Sequence, residues 1–98
     1  MNQTFHFRKQ LQERVGMTWN ELIAKYDHEV YEAGETTPHR IVRKKMLRYK
    51  DQDFIVFPDA NLFCARGSNG VLVTAMYLDG AWGYKDRPYN ADEHFGRK

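Results

Sequence analysis

Phe54-Ile55-Val56-Phe57, then Pro58-Asp59-Ala60-Asn61, then Leu62-Phe63-Cys64-Ala65-Arg66: two short apolar runs flank four turn-forming residues. Runs this short, bounded by turn chemistry, read as paired strands. Gly67-Ser68-Asn69-Gly70 then separates Leu62–Arg66 from Val71–Leu78, and Asp79-Gly80 separates that run from Ala81–Lys85. Asn-Gly and Asp-Gly favour tight hairpins because both central residues take positive φ there. The stretch from 53 to 85 therefore predicts a four-stranded antiparallel meander. Val71–Leu78 places Val71, Val73, Ala75 and Tyr77 on one face and Leu72, Met76 and Leu78 on the other. A strand apolar on both sides is expected to be central and doubly covered. With few helices available, a partner subunit is the expected second cover, giving a homodimer through the sheet.

Upstream, the spacing changes from two to between three and four. Phe7, Leu11 and Val15 recur every four residues among polar ones, which predicts a helix from Phe5 to Val15, stopped by Gly16. Thr18-Trp19-Asn20-Glu21 is a capping box, and Met17 and Leu22 have the spacing of a hydrophobic staple. Trp19, Leu22, Ile23, Tyr26 and Val30 share one helical face, so the second helix is expected to run to about Ala33, before Gly34. Thr37-Pro38 predicts the start of a third helix, with Thr as cap and Pro in the first position. Its buried stripe is Val42, Met46 and Tyr49, and Leu47 is left on the outer side. The expected fold class is α+β: two to three N-terminal helices, about 5–50, packed on one face of a four-stranded antiparallel β-meander, about 53–85. A polar C-terminal tail, 86–98, completes a single small domain, 1–98.

Composition narrows the function. The chain has 98 residues, 42% hydrophobic and 29% charged, which suits a globular domain. No apolar run approaches the roughly 18 residues needed to cross a bilayer, and the opening residues do not read as a secretory signal. A cytoplasmic location with no membrane partner is expected. One cysteine excludes an intramolecular disulfide and any multi-thiolate zinc site. His6, His28, His39 and His94 show no H-x-x-x-H spacing, so no metal and no cofactor are expected. Phosphate-cradling glycine motifs are absent as well. Asp51, Asp53 and Asp59 lack the acid-x-Lys partner of metal-dependent nucleases on the strand Val71–Leu78.

The net charge is only +2, but it is unevenly laid out. From Glu21 to Glu35 there are five acids and one lysine; from Thr36 to Lys50 there are six bases and no acid. Cations along a helix follow the phosphates of a nucleic-acid groove. The plainer reading is that they pair with the acids of the preceding helix. Thr36-Thr37-Pro38-His39-Arg40-Ile41-Val42-Arg43 resembles the opening of a recognition helix in helix-turn-helix proteins. Followed by the hairpin at Arg66–Gly70, it resembles a winged-helix layout. That resemblance implies Arg40, Arg43, Lys44 and Arg48 on phosphates, with Arg66 and Asn69 assisting from the hairpin.

The leading expectation is thus a non-catalytic nucleic-acid-binding domain, for DNA or RNA. A protein-binding inhibitor or adaptor module is the second, favoured by Leu47 and the doubly apolar strand. A small metal-independent ribonuclease of the toxin type is the third. It would use His94 or His39 as base, with Arg87 beside the phosphate and Tyr84 as acid. Tyr77, Trp82, Tyr84 and Phe95 near Lys85 and Arg87 could stack bases or equally make a protein interface, but core packing of at least two of them is the stronger expectation.

Overall fold

Thr4 starts the first helix by accepting the Phe7 amide on its hydroxyl at 3.0 Å. In the computed structural model, which describes residues 2–79, helix α1 then runs Phe5–Val15. Gly16 closes it in the left-handed region at φ 68°, its N–H donating to the Leu11 and Gln12 carbonyls. The capping box of α2, Trp19–Lys25, is formed in both directions: Thr18 accepts from Glu21 N–H at 3.2 Å, and Glu21 accepts from Thr18 N–H at 2.8 Å.

Helix α2 stops at Lys25, eight residues short of the expected Ala33, because Tyr26 turns into extended backbone. The residues beyond it become strand β1, Glu29–Tyr31, which pairs antiparallel with β2, Asp53–Phe57, in the register Glu29↔Val56, Val30↔Ile55 and Tyr31↔Phe54. Val30 matches the helical spacing of Trp19 and Leu22 only by coincidence. Its backbone bonds to a strand more than twenty residues away, and that long-range ladder outweighs a local helical preference. Helix α3, Arg40–Arg48, follows, then β2, β3 at Leu62–Arg66 and β4 at Leu72–Tyr77. The four strands lie in chain order β1-β2-β3-β4, all antiparallel. The meander is as expected, but its first strand is Glu29–Tyr31. The strand expected at Ala81–Lys85 and the tail 86–98 lie outside the described residues.

Residues 54–57 and 62–65 are buried without exception, so β2 and β3 are covered on both faces. Phe7, Leu11, Trp19 and Leu22 of α1 and α2 pack on Ile55, Phe57, Leu62 and Cys64. Trp19 stands edge-on to both Phe7 and Phe57, at 6.0 and 5.8 Å between ring centres. On the reverse face Val42 and Met46 of α3 pack on Phe54, Val56, Phe63 and Ala65. The helices therefore sandwich the sheet rather than share one face. Over β2 and β3 the second face is covered by α3. Each fully buried side chain contributes about 1.5–3 kcal/mol of transfer free energy, so both layers are needed in a chain this small.

Strand β4 departs from simple alternation. Ala65 pairs with Thr74 but Arg66 with Leu72, leaving Val73 as the extra residue of a bulge. The bulge puts Leu72 and Ala75 in the same core, under α1, with Val73 and Met76 on the α3 side. β4 is the last strand of the described sheet, and two of its outward N–H groups are already engaged. Leu72 N–H donates to the Asn2 carbonyl, and Ala75 N–H to the Gln10 side chain, each at 2.9 Å. Tyr77, weighed between base stacking, a protein interface and the core, is buried, and its hydroxyl donates to the Arg14 carbonyl at 3.1 Å.

Candidate functional site

Helix α3 begins two residues later than Thr37-Pro38 implies. Its cap position is His39, with no side-chain capping bond; Thr37 instead accepts from His39 N–H at 3.3 Å. The reason is the His39 ring. It is 1% exposed, and its Nε2 lies 2.7 Å from Glu29 Oε1 on β1, which fixes the chain before the helix against the sheet. Tyr31 donates its hydroxyl to the same Glu29 oxygen at 2.7 Å and presents its ring edge-on to His39 at 6.0 Å. Partial burial pushes the Glu29 carboxyl up, but the hydrogen bonds from His39 and Tyr31 outweigh it and leave the pKa below its ordinary value. Burial, then the Glu29 hydrogen bond, pushes the Tyr31 phenol up. His39, a candidate base in the ribonuclease reading, is thus sealed and committed to Glu29. His94, Arg87 and Tyr84, its other members, lie outside the described residues.

From that anchor the helix turns Val42 and Met46 inward and presents Arg40, Arg43, Lys44, Leu47 and Arg48 outward, the i, i+3, i+4, i+7, i+8 face. Lys44, Leu47, Arg48 and Lys50 are exposed, and Arg40 and Arg43 half-buried. Tyr49, expected in the buried stripe, is exposed instead, with the Arg48 guanidinium 5.6 Å and the Lys45 ammonium 6.0 Å from its ring centre. Arg43 donates from Nη1 to the Thr37 carbonyl at 3.4 Å.

Among the described residues, none of Arg40, Arg43, Lys44, Lys45, Arg48 and Lys50 forms an ion pair; the pairs present are His39–Glu29 and Arg66–Asp53. Three of the five acids just upstream have carboxylates engaged elsewhere. Glu21 caps α2, Glu29 holds His39 and Tyr31, and Glu35 accepts from Glu32 N–H at 2.6 Å. Among the described residues, no ion pair joins the arginines and lysines of 40–50 to the acids of 21–35, although the two segments are consecutive in sequence.

The hairpin contributes less than expected. Arg66 Nε and Nη2 each sit 3.0 Å from Asp53 Oδ2, across the β2–β3 pair, and Asp53 Oδ1 accepts from Ala33 N–H at 2.8 Å. Arg66 is therefore a cross-strand tie and not an open phosphate ligand. Asn69 accepts from Val71 N–H at 3.2 Å, and only Gly70 of the Asn-Gly pair takes positive φ. Gly67 and Gly70 amides are also spent inside the turn. Nor do α2 and α3 form a helix-turn-helix: β1 lies between them and they pack on opposite faces of the sheet. A winged-helix layout does not survive that separation.

One feature had no linear signal. A cavity of about 260 Å³ lies between the Gly34–Thr36 loop and α3, lined further by Arg43, Met46, Leu47 and Lys50. Elsewhere, the described residues hold no cluster of three metal-ligating side chains and no helix long and apolar enough to cross a membrane. Cys64 is fully buried, and burial pushes its thiol pKa up, so it is no nucleophile. Comparison of the chain with protein-family models, with curated proteins and with solved structures finds no match.

Proposed function

We propose that the protein binds nucleic acid through the outward face of α3, with Arg40, Arg43, Lys44 and Arg48 on phosphates. The observation that carries this reading is the lack of any carboxylate partner for those cations among the described residues. Clustered positive charge costs self-repulsion unless an anion arrives, and Arg40 sits at the helix N-terminus, where the dipole disfavours a cation. Nine residues rise about 13 Å, a length that passes roughly four phosphates of one duplex strand. Four cations on that length suit a backbone-tracking contact.

The test is fluorescence anisotropy with labelled DNA and RNA across a salt series. Four phosphate contacts give a slope of log affinity against log salt of roughly −3 to −4 on duplex. Changing Arg40, Arg43, Lys44 and Arg48 together to Gln is expected to remove most of that slope while the thermal midpoint stays nearly fixed. Absence of salt-sensitive binding to either nucleic acid at low ionic strength overturns the proposal.

A further inference from the structure

Leu47 is the residue that phosphate contact leaves unexplained. It is 69% exposed at the middle of the cationic face, between Arg43 and Lys50, where a hydrated phosphate gains nothing from it. Beside it opens the cavity of about 260 Å³, whose wall is apolar at Met46 and Leu47, cationic at Arg43 and Lys50, and polar at Thr36. Drug-sized ligands occupy pockets from roughly 300 Å³ upward, so this volume suits a single ring system. Arg43 is held at the rim by the Thr37 carbonyl, and Glu35, the acid in the lining, has an oxygen turned onto Glu32 N–H.

Resting on the reading above, we infer that the bound nucleic acid is single-stranded and that one unpaired base seats in this cavity. Its ring face lies on Met46 and Leu47, its flanking phosphates on Arg43 and Lys50, and its edge meets the Thr36 hydroxyl. A duplex keeps its bases stacked and offers only their edges, so it has no ring face to bury here. An unpaired base gains by leaving water, as bases do on apolar and aromatic side chains in single-strand binders. Phosphates carry affinity, and the cavity decides strandedness.

Anisotropy with a short fluorescent oligothymidylate, and with the same strand annealed to its complement, tests this. The single strand is expected to bind about tenfold tighter, with a salt slope nearer 0.7 than 0.9 per phosphate contact. Leu47→Ala, at an exposed position that does not threaten the fold, is expected to weaken single-strand binding about fivefold without changing its salt slope, because an apolar contact and no charge is lost. A 2-aminopurine placed in the strand is expected to change emission on binding and to lose that change in Leu47→Ala. Equal affinity for the duplex, indifference to Leu47→Ala, or an affinity for inorganic polyphosphate of matched charge equal to that for the single strand overturns the seated base while leaving phosphate binding standing. Stronger competition by an acidic peptide carrying one leucine overturns it in favour of a protein ligand. Loss of all salt-sensitive binding removes the underlying reading as well.

Discussion

Helices α1 and α3 cover opposite faces of one sheet at similar lengths, eleven residues and nine, yet their polar surfaces are used differently. On α1, Thr4 and Gly16 finish the ends, Gln10 binds Thr74 and Ala75 of β4, and the Arg14 carbonyl receives Tyr77. Those groups hold the fold, while His6, Arg8, Lys9, Gln12 and Glu13 stay exposed as a face of mixed sign. On α3 no side chain caps the start, and among the described residues the outward cations reach only the Thr37 carbonyl and the Tyr49 ring. The outward charge of α3 is of one sign and serves no bond that the fold needs, which is the ground for the proposed binding face.

The contrast can be broken by mutation, starting in the core. Phe7→Ala removes a fully buried ring from the α1 layer and is expected to cost about 3–5 kcal/mol, whereas Val42→Ala under α3 is expected to cost about 2 kcal/mol. Urea unfolding of both variants checks the order; equal or inverted costs would mean that the α3 layer bears as much of the stability.

The anchor of α3 comes next. Glu29→Gln weakens the hold on His39 and is expected to cost about 1 kcal/mol near neutral pH. The folded pKa of Glu29 lies below its ordinary value near 4.5. Its contribution is therefore complete above that pH and fades as pH falls through the lower, folded value. Wild type should accordingly lose more stability than Glu29→Gln on acidification, which denaturation at stepped pH measures; parallel curves would show that the carboxylate does not hold α3.

The smallest effect has the most informative sign. Arg40→Glu places an acid at the start of α3 and is expected to raise stability by about 0.3–1 kcal/mol while weakening nucleic-acid binding. A variant less stable than wild type would show that Arg40 serves the fold after all.

Much of this was legible from local chemistry. Caps at Gly16 and Thr18 and the turn at Pro58–Asn61 are written within four residues of where they act. The outward phase of α3 was readable from Val42 and Met46 alone, and Leu47 is apolar on the outside as that phase demands. What failed depends on distant partners. Strand β1 exists because Glu29–Tyr31 finds β2, and Arg66 is occupied because the β2–β3 register sets Asp53 opposite it. Neither pairing can be seen without the sheet. The two-sided sandwich did have a signal, the unbroken apolar runs 54–57 and 62–65, stronger than the one in Val71–Leu78. The bulge at Val73 concealed it in the very strand where alternation seemed clearest.

The seal along β4 has one further consequence. A sheet that ends in bare amides invites end-to-end accretion of molecules into fibres. Here the Asn2 carbonyl and the Gln10 side chain occupy the amides of Leu72 and Ala75, so an incoming strand must first evict the protein's own N-terminal segment. Along that stretch α1 works as a bumper as well as a lid, and polymer growth there would start only after local unfolding.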